Sequence, residues 1–124
     1  MKLTESSIEG VPLIVVEGDL DQASKRGAHR AVDDALRGPY STGSLFIDLT
    51  NCAFVDSGGL GVLLSAVEQL PAEGWLGIIG ATAGTNRVLT YTGFLDSDKV
   101  RFFSSTTDAA ASLARERRLP RPRP

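Results

Sequence analysis

The run Ser44-Leu45-Phe46-Ile47-Asp48-Leu49 constrains the fold more than any other segment. With little polar alternation, it suits a central strand covered on both faces. From Ser57 onward, Leu60, Leu63, Leu64, Val67 and Leu70 recur at helical spacing until Pro71 and Gly74 stop the pattern. A buried strand followed by an amphipathic helix is the unit from which mostly parallel α/β sheets are built.

The rest of the chain extends that unit. Ile8 and Val11–Val16 flank Glu9-Gly10, which predicts two short strands joined by a tight turn. Ala28, Ala31, Val32, Ala35 and Leu36 predict a helix that Asp21 can cap and Gly38-Pro39 ends. Trp75–Ile79 reads as an internal strand, Asn86–Thr92 as a short helix and Val100–Phe103 as a final strand. Ser105-Thr106-Thr107-Asp108 can cap a last helix through Leu113. The expected order is ββαβαβαβα, a mixed sheet with one antiparallel hairpin strand and helices packed against it.

At 124 residues the chain has the length of one domain. No apolar run approaches the roughly 18 residues of a membrane-spanning helix, and the polar start lacks the apolar stretch of a secretory signal. Neither membrane insertion nor secretion is expected, so the expected location is cytoplasmic. One cysteine, Cys52, and one histidine, His29, leave too few soft ligands for an ordinary zinc site. His29 is read as a solvated helix residue and Cys52 as a packing residue.

The charge is uneven. Residues 1–114 carry 8 basic and 14 acidic side chains, whereas 115–124 carry five arginines and one glutamate. An acidic body repels phosphates, so no nucleic-acid partner is expected. The domain is expected over residues 1–115, followed by a flexible Arg/Pro-rich tail over 116–124, where alternating prolines prevent a helix.

Ligands and partners of alternating α/β sheets gather at the carboxyl ends of strands and the amino ends of the following helices. Two segments meet that rule, Gly18-Asp19-Leu20-Asp21 and Phe54-Val55-Asp56-Ser57-Gly58-Gly59-Leu60-Gly61. Adjacent glycines would cost roughly 1 kcal/mol each inside a helix, so Gly58 and Gly59 are placed in its first turn, where small residues leave backbone exposed. Asp56 or Ser57 can cap that helix. The segment lacks the lysine of a phosphate-binding loop, and Ser57 has no neighbouring base, so neither a catalytic constellation nor a cofactor is expected. Asp19, Asp21 and Asp56 read either as an acidic docking rim or as turn and capping residues.

Leu45–Leu49 followed by Phe54–Leu64, with Gly18-Asp19-Leu20-Asp21 upstream, resembles the motifs of STAS domains, the family of bacterial anti-sigma factor antagonists, over essentially residues 1–115. The resemblance implies partner switching, in which the antagonist binds an anti-sigma factor that carries a kinase-like ATPase domain and phosphorylates a serine. In the family pattern Asp-Ser-Ser/Thr-Gly-Leu, matched here from Asp56, the phosphorylated hydroxyl is the third residue, where this chain has Gly58, so Ser57 is a displaced candidate acceptor. The partner-binding residues carried over are Asp19, Asp21, Asp56, Ser57, Gly58, Gly59 and Leu60. A role as an accessory or docking subunit of a transport or sensory complex is the alternative that the lost acceptor favours.

Overall fold

The computed structural model describes residues 1–82, 85, 89 and 97–118. Strands β1 (Lys2–Ile8) and β2 (Val11–Leu20) form the expected hairpin, with φ of 51° at Glu9 and 82° at Gly10. Positive φ at both turn residues gives the mirror-image turn that matches the right-handed twist of paired strands. Helix α1 (Lys25–Arg37), strand β3 (Leu45–Val55), helix α2 (Ser57–Glu68), strands β4 (Leu76–Ile79) and β5 (Val100–Phe103), and helix α3 (Thr106–Arg118) follow.

The five strands lie in chain order, with β1 antiparallel to β2 and every later pair parallel. Because β2, β3 and β4 advance in one direction across the sheet, right-handed crossovers place α1 and α2 on the same face. There Ile14, Val16, Ile47 and Ile78 meet Ala28, Val32, Val62 and Leu63. On the opposite face Ala109 and Leu113 of α3 cover Ile8, Val11, Leu13, Phe46 and Ile79. Phe46 is fully buried and lies edge-on to Trp75 and Phe103, at centroid distances of 4.9 and 5.6 Å.

Several boundaries differ from the sequence reading: α1 begins at Lys25 with Ser24, not Asp21, at its cap position, because Asp21 is held in the preceding turn by Ser24. β2 runs to Leu20 and β3 to Val55, because the segments expected as loops pair with each other: Glu17 with Asn51, Gly18 with Cys52 and Leu20 with Val55. Register shifts break strict alternation there, which removes the period-two signal from the sequence. α3 continues to Arg118, where Arg117 bonds Glu9 and Glu116 pairs with Arg101, so residues 116–118 of the expected tail are helical. The expected helix Asn86–Thr92 lies outside the described residues except for Leu89, which is buried in the larger core cluster.

Candidate partner-binding site

The carboxyl ends of β2 and β3 converge on the amino end of α2. Asp56, at the end of β3, is the cap: one carboxylate oxygen accepts the Gly59 N–H at 3.0 Å and the other accepts the Gln22 N–H at 3.1 Å. The Asp56 N–H in turn donates to the Leu20 carbonyl at 3.3 Å. One residue thereby closes the first turn of α2 and ties it to the β2–α1 loop. The Gly59 amide does most to hold the Asp56 carboxyl below its ordinary 3.8. Desolvation opposes that pull, while the Gln22 and Gly58 amides and the charge of Lys25 reinforce it.

The two glycines are less open than expected: Gly59 is buried and Gly58 half-buried, and neither has room for a side chain. A Cβ on Gly58 would lie 2.8 Å from the Cα of Gln22, and one on Gly59 would overlap the Leu20 carbonyl. Both positions require glycine because the end of β2 lies directly over Gly59 and the β2–α1 loop directly over Gly58. The position at which the family pattern carries its hydroxyl is therefore both without a hydroxyl and without room for one. Leu60 is likewise buried, at 9% exposure, in the core beneath α2.

Ser57 is exposed at the start of α2, and among the described residues its hydroxyl is in no hydrogen bond. Capping falls to Asp56, leaving that hydroxyl accessible. Asp21 serves turn chemistry: its carboxylate accepts the Ser24 N–H and the Ser24 hydroxyl, both at 3.0 Å, while Ser24 Oγ accepts the Asp21 N–H at 2.9 Å. Asp19 is exposed, and its side chain takes part in no hydrogen bond or ion pair among the described residues. Asp19 and Asp21 line one shallow depression with Ser24 and Gly27; Asp56 and Ser57 are not part of it. Cys52 is buried, its thiol donates to the Phe54 carbonyl at 3.4 Å, and burial pushes that thiol up from its ordinary 9.0. His29 is half-buried on α1.

Sequence reasoning missed the apolar part of this surface. Ser57, Gly61, Leu64 and Glu68 fall along one side of α2 at offsets of four, seven and eleven, and Leu64 is 41% exposed. Phe54, two residues before the cap, is 53% exposed. Leu64 sits among the leucines of the helical stripe, so composition hid it; counting turns from Ser57 would have found it.

Fold and connectivity define a small α/β domain with an antiparallel edge hairpin on an otherwise parallel sheet. A family model described as Mlab, STAS domain matches residues 4–101, well over half of the chain. The chain belongs to the STAS domain family. No curated protein sequence matches it significantly. Among solved structures, an anti-sigma factor antagonist from Mycobacterium paratuberculosis is 23% identical, with 91% of this chain and 93% of that one covered and a TM-score of 0.80. A protein described as an anti-sigma factor antagonist from Thermotoga maritima is 18% identical, with 90% and 94% covered and a TM-score of 0.79. The murine anion transporter Slc26a9 is 20% identical over 90% of this chain and 18% of its own, with a TM-score of 0.70. At these identities the likenesses establish the shared fold.

Proposed function

We propose that this protein is a cytoplasmic anti-sigma factor antagonist-like regulator that acts by binding and not by turnover. Its partner is an anti-sigma factor with a kinase-like ATPase domain. The observation that carries this reading is the surface at the start of α2. An accessible Ser57 and the exposed Leu64 lie along one side of a helix whose start Asp56 locks to the β2–α1 loop, and Phe54 is exposed at the end of the strand that leads into it. A rigid, partly apolar face with a polar border is what a specific protein interface needs. Asp19, exposed on the neighbouring strand end, adds negative charge for a basic partner side chain.

Gly58 and its closure by Gln22 support a regulator that is not switched at the usual hydroxyl. Affinity capture from the host lysate, with mass spectrometry of the partners and of the Ser57 peptide, tests both points. Recovery of a kinase-like anti-sigma factor with Ser57 unmodified is expected. Stoichiometric phosphate on Ser57 would overturn the unswitched reading, and absence of any such factor would overturn the regulatory one.

The glycine at position 58 and the likeness to a domain within an anion transporter favour one second reading, a docking subunit of a transport or sensory complex. Recovery of membrane-transport components in place of a kinase-like ATPase would select it.

A further inference from the structure

A second concave surface lies away from the α2 site, between the β1–β2 hairpin and the end of α1. The cleft has a volume of about 470 Å³, within the range of ligand sites. Its walls carry two carboxylates, Glu5 from β1 and Asp34 from α1, with Pro12, Ile14, Pro39 and Tyr40 between and beside them. Among the described residues, no basic side chain lines it. Neither carboxylate is engaged by the side chain of another described residue, and the ring of Tyr40 is 88% exposed. Uncompensated negative charge beside an aromatic and proline surface fits a cationic segment with an extended, proline-bearing backbone.

The chain supplies such a segment at that place. α3 is pinned by Arg117, whose guanidinium donates to the Glu9 carboxylate at 2.9 Å and also to the Glu9 carbonyl. Glu9 adjoins Gly10, which lines the cleft. The sequence that follows α3 is Leu119-Pro120-Arg121-Pro122-Arg123-Pro124, with two arginines for two carboxylates. Six residues of extended polyproline backbone span about 19 Å at ~3.1 Å each, a reach that begins beside the cleft's own lining.

We propose that this cleft is the intramolecular receptor for residues 119–124. Exposed ion pairs are individually weak and screened by salt, so two of them would not recruit a free peptide. Tethering changes that balance, because a short linker holds the segment at an effective concentration in the millimolar range. The docked segment covers the α1–hairpin cleft and leaves the α2 face open, so the two surfaces act independently.

The test uses the full chain bearing a nitroxide on Pro124→Cys, with Cys52 left in place because its thiol is buried. At low salt, loss of amide NMR intensity is expected at Ser6, Ser7, Tyr40 and Ser41 and not at Ser57 or Leu64. Arg121→Glu with Arg123→Glu restores those intensities, and so does Glu5→Arg with Asp34→Arg, whose exposed positions tolerate substitution. Intensity loss that survives both charge reversals, or that spreads equally to Ser57 and Leu64, would overturn the proposal. Loss seen only between nitroxide-bearing chains and separate isotope-labelled chains would also overturn it, by assigning the cleft to a second copy.

Discussion

At the scale of single residues, positions 56–59 divide the work of one turn. Asp56 satisfies the helix end, Ser57 faces solvent, and Gly58 and Gly59 admit the loop. Gly59→Ala forces a methyl into the Leu20 carbonyl and is expected to cost about 1–3 kcal/mol, as overpacking does. Gly58→Ser meets the Gln22 backbone and is expected to lower the melting temperature instead of restoring a working acceptor. Ser57→Ala should stay within about 0.5 kcal/mol of wild type, since nothing in the fold uses that hydroxyl. Thermal melts of the three variants check this order. Asp56 adds a pH signature. Its carboxyl is held below 3.8 in the folded protein, so the stability it lends is fully present above that pH and is lost as pH falls through the lower folded value. The stability gap between wild type and Asp56→Asn should therefore be widest near neutrality and close in acid, as denaturant melts across pH would show.

At the scale of elements, α2 has two apolar characters that its composition does not separate. Leu63 is fully buried against the sheet, and its replacement by alanine is expected to cost about 2–5 kcal/mol. The adjacent Leu64 points outward, and Leu64→Glu should change stability by no more than about 0.5 kcal/mol while abolishing capture of the partner. Equal losses of stability in the two variants would remove the α2 face from consideration as a docking surface. The hairpin turn was legible in the sequence because Glu9-Gly10 between Ile8 and the apolar run Val11–Val16 is a local signal. The true length of β3 was not. Thr50–Ala53 reads as a loop between the strand and the motif that starts at Phe54, and only its pairing with the extended β2 makes it strand.

At the scale of the molecule, Phe46 joins the layers, since it sits in the central strand and packs against Trp75 and Phe103 under α3. Phe46→Ala is expected to cost about 3–5 kcal/mol. Trp75 is the chain's one tryptophan, so its emission reports the α3 face, while circular dichroism reports all helices. Coincident denaturant transitions by the two probes are expected for one cooperative domain. An earlier Trp75 transition would mean that α3 leaves the sheet before the α1–α2 layer melts. Arg101 lies over the Trp75 ring at 4.7 Å and pairs with Glu116, so high salt should weaken α3 only slightly, both groups being exposed.

The sequence by itself determined the order of the described strands and helices and the resemblance to the STAS family, because periodicity, turn residues and a short motif are local properties of the chain. It also marked Asp56 and Ser57 as the residues at which the second crossover helix begins. Only the tertiary structure decided that Asp56 is the cap and that Gly58 and Gly59 are roofed by the β2–α1 loop and the end of β2. Tertiary packing likewise turned Leu60 into core and Leu64 into surface. Those outcomes rest on contacts such as the Gln22–Asp56 bond, between groups 34 residues apart in sequence. No local pattern encodes a distance of that kind; it is set by the packing of two helices on one face of a twisted sheet.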